Sequence, residues 1–198
     1  MNYGDYTYIE QFPGAGELQM PPTNVGRHRQ IFEMWIRPVP HSAKHFALRT
    51  ALREFQHVVD RGLTEQDFRA TRNFLRKYIL HYAPTTMDRL AYALDDRFYN
   101  IHGSHLELYR KMLDEVTLAE VNAAVKKYWQ CENMQIVIVT DNAQALKEAL
   151  VNNAPSPYKY PTTKSESLLK EDEEIVKYPL PIKAENVTIV PVTEVFER

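Results

Sequence analysis

Two histidines, His41 and His45, have the spacing in this sequence that most resembles a metal site. Residues four positions apart lie on one face of a helix, where both imidazoles can reach a single zinc ion. The inverted zinc-hydrolase motif H-x-x-E-H places its general-base glutamate directly before the second histidine, where this chain has Lys44. A lysine ammonium cannot accept the proton and repels the metal. We therefore interpret both as helix-start histidines that face solvent.

Acidic residues elsewhere supply weaker candidates for chemistry. A zinc hydrolase built on the two histidines would take Glu120 as its third ligand, but this alternative lacks a base beside the metal. Asp95 and Asp96 are adjacent on a predicted helix, so their side chains point about 100° apart, and a structural ion pair with Arg97 is the better interpretation. The single cysteine, Cys131, excludes an internal disulfide and a cysteine-rich zinc site. We interpret it as a small packed residue.

Composition narrows the class of protein. The chain has 198 residues, 44% of them hydrophobic, and 24 basic against 26 acidic side chains. Because the basic residues are dispersed and form no stripe, we expect no nucleic-acid partner. No apolar run approaches the roughly 18 residues of a membrane span, and the N-terminus carries no targeting segment.

Four segments read as strands. Residues 3–12 and 32–39 alternate apolar and polar side chains and are predicted to pair as antiparallel neighbours. The first begins close to Met1, so we expect it to be a cut strand with natural partners upstream. Residues 134–140 are densely β-branched, which is typical of a central strand buried on both faces. Residues 187–192 include a proline and suit an edge strand.

The middle of the chain is predicted to be a helical layer. One apolar stripe at helical spacing ends at Gly62, and a short helix is expected at 142–151. Residues 1–152 are predicted to form one domain, and 153–198 an extended proline-rich arm that packs on it with one or two helical turns. Four Ser or Thr residues each precede an acid by three positions, the signature of a helix start: Thr64 with Asp67, Thr85 with Asp88, Ser104 with Glu107, and Thr117 with Glu120.

Five separated segments resemble, in order, the C-terminal lobe of bacterial members of the pitrilysin/insulinase family of zinc metallopeptidases. The resemblance implies an α+β fold, part of a metallopeptidase-type α/β roll, with a mainly antiparallel sheet and about five to six helices on one face. The segments are 1–10 (MNYGDYTYIE), 32–39 (FEMWIRPV), 72–75 (RNFL), 93–99 (ALDDRFY) and 135–140 (QIVIVT).

The resemblance also implies where the chemistry lies. In this family two homologous lobes face each other across a peptide-holding chamber, and the N-terminal lobe bears H-x-x-E-H and the zinc. The C-terminal lobe has lost the metal and contributes an Arg-x6-Tyr pair that contacts the substrate backbone. The tyrosine of that pair matches Tyr3, and its arginine would precede Met1. We therefore expect Tyr3 to bind substrate, and no catalytic residue, metal ligand or cofactor in this chain.

The function implied is that of a non-catalytic C-terminal domain of a zinc metallopeptidase, which forms part of the peptide chamber. Its partners would be the zinc-bearing N-terminal lobe, in the same protein or as a separate subunit, and the peptide substrate. The alternative is a non-proteolytic interaction or assembly subunit of the same fold. A dimer through the cut strand edge at 3–12 is also expected, and the resemblance suggests the periplasm as compartment.

Overall fold

The computed structural model describes residues 6–11, 23, 30–36 and 38–195. Tyr3, the expected substrate contact, lies outside the described residues. Within them, two strands and seven α-helices follow one another along the chain: β1 (Tyr6–Gln11), β2 (Gln30–Trp35), α1 (Lys44–Arg61), α2 (Glu65–Tyr78), α3 (Thr86–Phe98), α4 (His105–Glu115), α5 (Leu118–Tyr128), α6 (Ala143–Val151) and α7 (Glu166–Ile175).

The residues group into two compact units. The first unit takes the described part of Met1–Trp35 together with His57–Trp129, and the second takes Ile36–Gln56 together with the described part of Gln130–Arg198. Each unit therefore combines segments distant in sequence. The boundary expected after residue 152 stays a prediction.

The expected α+β roll with a mainly antiparallel sheet is wrong, because the described chain is mostly helical. β1 and β2 pair antiparallel, from Tyr6 opposite Trp35 to Gln11 opposite Gln30, and form the two-stranded sheet of the described residues. Residues 134–140 and 187–191, which the sequence predicted as strands, belong to no helix or strand. Dense β-branching favours an extended backbone, but a strand also needs a neighbour with which to pair.

Threonine caps fix the starts of three helices as the sequence predicts. Thr64 Oγ1 accepts a hydrogen bond from the amide of Asp67 at the start of α2. Thr85 and Thr117 form complete capping boxes with the acids three residues on, because each acid in turn accepts from the backbone amide of its threonine. Such contacts are local, so the sequence alone specifies them.

The fourth predicted cap, at Ser104, is wrong in its chemistry. Ser104 precedes α4, but its side chain makes no capping hydrogen bond. The carboxylate of Asp96, on α3, accepts from the amide of His105 instead, at 3.1 and 3.3 Å. The negative charge suits the positive end of the helix dipole. The start of α4 therefore depends on a contact from another helix, which a local motif cannot reveal.

The core of the second unit joins α1 to the C-terminal segment. Leu48 of α1 packs with Leu146 and Leu150 of α6 and with Leu180, which follows α7. Around them, Leu52, Tyr178 and Ile182 are partly buried. The segment after residue 152 thus supplies core side chains, and α7, with ten residues, is longer than the one or two turns expected.

A close approach at the end of α1 gives a test of the first unit. Gly62 has φ +73°, and a Cβ built there would lie 2.5 Å from the side chain of Asn122. Asn122 accepts from Leu63 N at 2.8 Å and donates to Leu63 O at 3.1 Å. We predict that Gly62→Ala lowers the free energy of unfolding by about 2 kcal/mol. An alanine in the left-handed conformation is strained by roughly 1–2 kcal/mol, and its methyl group displaces the Asn122 side chain from its two hydrogen bonds with Leu63.

The measurement is urea denaturation of four proteins: the wild type, Gly62→Ala, Asn122→Ala and the double variant. Asn122→Ala removes the group with which the new methyl clashes, so Gly62→Ala should cost about 1 kcal/mol less in that background. Strictly additive costs would contradict a contact between the two residues.

Candidate functional site

The histidine pattern singled out from the sequence lies in the second unit, where His41 joins a small polar cluster. His41 Nδ1 lies 3.1 Å from Asp141 Oδ1, and both side chains are more than half exposed. Lys44 Nζ donates to Thr140 Oγ1 at 2.9 Å and to Asp141 Oδ1 at 3.1 Å. The hydrogen bond from Lys44, helped by Thr140 and the charge of His41, lowers the pKa of Asp141. The cluster holds the segment 134–140 at its C-terminal end.

His45 has a different environment, so the expectation that both histidines face solvent is wrong for this one. His45 is half-buried, and its Nε2 is buried without a hydrogen-bond partner among the described residues. Burial, and secondly the positive charge of Arg49, lower the pKa of His45 to about 4. The imidazole is therefore neutral at neutral pH.

The expected third ligand of the alternative zinc site, Glu120, caps a helix. Glu120 belongs to the first unit, and its carboxylate accepts from the backbone and hydroxyl of Thr117 at 2.9 and 2.8 Å. These hydrogen bonds lower the pKa of Glu120. Among the residues that the structure describes, no group of three or more His, Cys, Asp or Glu side chains could hold a metal ion.

The acidic pair on α3 has a structural role. Asp95 and Asp96 are both buried. His105 Nδ1 lies 2.7 Å from Asp96 Oδ1, without the alignment of a hydrogen bond. The sequence favoured an ion pair with Arg97 instead. Asp96 thus contacts both the backbone amide and the imidazole of His105, the first residue of α4. Cys131 is half-buried.

Sequence reasoning missed the most buried polar side chain of the described chain, Arg49 on α1, which has no exposed surface. Its Nη1 donates to Ser156 Oγ at 3.0 Å and to the carbonyl of Val176, and its Nη2 donates to Asn153 Oδ1 at 2.7 Å. Burial lowers the pKa of Arg49. The planar guanidinium thereby connects α1 to the chain after α6 and after α7.

One turn along α1, Arg53 contacts the acidic side of α7. Arg53 Nη1 lies 2.9 Å from Glu171 Oε1 and also contacts Glu54, and its Nη2 lies 3.2 Å from Glu174 Oε2. Burial acts to lower the pKa of Arg53, but the hydrogen bonds and charges of Glu171 and Glu54 outweigh it and raise this pKa. The sequence did contain a signal for these contacts. Arg49 and Arg53 are four positions apart beside the apolar stripe of α1, and residues 171–174 are all acidic.

An apolar stripe on α3 is exposed. Tyr92, Asp95 and Asp96 face inward on this helix. Four large apolar side chains at spacings of three and four lie on its outer face, each more than half exposed: Met87, Leu90, Leu94 and Phe98. A contiguous apolar surface of this kind is typical of a protein interaction site.

Comparisons with known proteins give no match: no protein-family model, no curated protein and no solved structure is significantly similar to this chain. Among the described residues, no helix combines the length and the apolar character needed to cross a membrane.

The buried imidazole of His45 predicts a pH dependence of stability. Its pKa is lower in the folded protein, about 4, than the usual 6.5, so between these values the unfolded chain binds a proton that the folded chain does not. The contribution of the neutral His45 to the free energy of unfolding is therefore fully present above pH 6.5 and is lost as the pH falls towards 4. We predict that the urea midpoint of the wild type falls more between pH 7 and pH 5 than that of His45→Gln.

The matched control is His41→Gln, which changes the exposed histidine one helical turn away. This variant should keep the pH dependence of the wild type over the same range. Equal dependence in the wild type and His45→Gln would contradict a buried neutral imidazole.

Proposed function

We propose that this chain is a non-catalytic part of a zinc metallopeptidase, with the zinc and the catalytic base supplied by another lobe or subunit. Its role is to form one wall of the peptide chamber, where the hydroxyl of Tyr3 donates a hydrogen bond to the substrate. A donor aimed at the oxygen on which charge develops stabilises the transition state of peptide hydrolysis. The basis of this proposal is the ordered resemblance of five segments of the sequence.

One observation favours a non-catalytic role over an independent zinc hydrolase. The residue at the position of the general base and the expected third ligand both have structural contacts: Lys44 bridges Thr140 and Asp141, and Glu120 caps α5. The ammonium of a lysine has only donors and no lone pair, so it cannot act as a general base. The proposal therefore assigns no catalytic role to His41 and His45.

The exposed stripe of α3, formed by Met87, Leu90, Leu94 and Phe98, supports packing against another protein surface. In the proposal this surface meets the zinc-bearing lobe. The same stripe equally suits the second candidate function, a non-proteolytic assembly subunit that uses it to bind a partner protein. An H-x-x-E-H motif encoded upstream in the same gene favours the peptidase, whereas its absence favours the assembly subunit.

The proposal predicts that Tyr3→Phe lowers the turnover of the assembled peptidase by more than about tenfold, because one oxyanion donor is lost. The measurement is kcat on a fluorogenic peptide, with the zinc-bearing lobe or subunit present. The matched control is Tyr128→Phe, at an exposed tyrosine on α5, which should leave kcat unchanged.

Two results would contradict the proposal. The first is equal turnover of Tyr3→Phe and the wild type, which would remove Tyr3 from the site. The second is peptide hydrolysis by this chain alone together with stoichiometric zinc, measured by elemental analysis and lost in His41→Ala or His45→Ala.

A further inference from the structure

The segment 134–140 of the second unit belongs to no helix or strand of the described chain and carries exposed β-branched side chains. Val137 and Val139 are 90% and 89% exposed, whereas Ile136 and Ile138 are 41% and 39% exposed. This alternation is that of a strand with one face towards the protein and the other towards solvent. No backbone hydrogen bond connects the segment to any other described residue.

Within the described part of the chain, the segment therefore presents a row of amide and carbonyl groups without backbone partners. An unpaired strand edge is a template for a further strand, and proteins usually protect it with charges, prolines or short length. None of these is present between Met134 and Thr140, where the sequence is Met-Gln-Ile-Val-Ile-Val-Thr. The edge is therefore suited to pairing with an uncharged, β-branched strand.

We infer that the strand that pairs with this segment is the same segment of a second copy of the chain. The two copies would run antiparallel about a two-fold axis at Ile138. In this register Val137 lies opposite Val139 of the second copy, and the reverse contact follows from the symmetry. The two most exposed large apolar side chains among the described residues of each copy then contact each other across the strand pair.

Charge permits the same register. Asp141 lies opposite the neutral Gln135 of the second copy, so no like charges are directly opposed. The Asp141 carboxylate is also already paired, with Lys44 and His41 each at 3.1 Å. A charged strand from another protein would have no such pairing partner along the neutral run 134–140.

The length of the segment sets the strength of the dimer. Seven residues span about 23 Å, and a single pair of strands of this length is smaller than the roughly 1,200–2,000 Å² of stable interfaces. The dimer is therefore weak and dependent on protein concentration. This inference does not rest on the proposed peptidase role.

The first test is sedimentation equilibrium of the full chain over a range of concentrations. Val137→Lys/Val139→Lys places lysines opposite each other across the two-fold axis and should weaken dimerisation by about tenfold or more. The matched control is Leu90→Lys/Leu94→Lys on the exposed face of α3, which should dimerise as the wild type does. Circular dichroism of each variant verifies that it is folded.

A second test fixes the register. Antiparallel partners have Cα atoms about 4.5–5.5 Å apart, a distance that a disulfide accepts. Ile138→Cys in a Cys131→Ser background should therefore form a disulfide-linked dimer under mild oxidation, whereas Leu94→Cys in that background should not. Val137→Cys should crosslink to Val139→Cys when the two proteins are mixed.

Three results would overturn the inference. One is a monomer at every concentration, with no crosslink through Ile138→Cys. Another is a dimer abolished by the α3 control or unchanged by the valine variants, which would locate the interface elsewhere, including the strand edge at 3–12. The third is tight binding of unrelated extended peptides to a chain that stays monomeric, which would make the segment a peptide-binding edge.

Discussion

The second unit depends on the burial of one guanidinium. A buried cation is costly unless its donors are satisfied. The two terminal nitrogens of Arg49 donate to oxygens from three places, the Ser156 hydroxyl, the Val176 carbonyl and the Asn153 amide, whereas its Nε has no hydrogen-bond partner among the described residues. A single ammonium could not reach the same set, because the fork of the guanidinium spreads its donors in a plane. These contacts connect α1 to two turns of the C-terminal segment.

The backbone around Arg49 is arranged to supply its acceptors. Asn153 adopts φ +49° after α6, where the amides of Asn153 and Ala154 bond back to Leu150 O and Ala149 O. This helix-ending turn presents Asn153 Oδ1, which also accepts from the amide of Leu180. At the start of α1, Lys44 donates to Asp141, the residue that follows the segment 134–140. α1 thus anchors both the exposed segment 134–140 and the C-terminal chain.

The sequence could predict the features that depend on residues close to one another along the chain. The end of α1 near Gly62, the threonine caps and the start of α6 at Asn142 each depend on residues within one helical turn, so their signatures are local. The failures share one cause. The cap of α4 comes from Asp96, the burial of His45 from tertiary packing, and the state of 134–140 from the absence of a pairing strand in the described chain. Each requires knowledge of which distant elements meet, and a single sequence does not contain it.

The most direct test of this account is amide hydrogen exchange in Arg49→Met. The amides of Ser156 and Leu180 donate to Val176 O and Asn153 Oδ1, the same two acceptors that the guanidinium holds. We predict that their protection falls by about tenfold or more in Arg49→Met. Arg53→Met, whose partners are exposed carboxylates, should leave it nearly unchanged. Full protection of both amides in Arg49→Met would contradict the account.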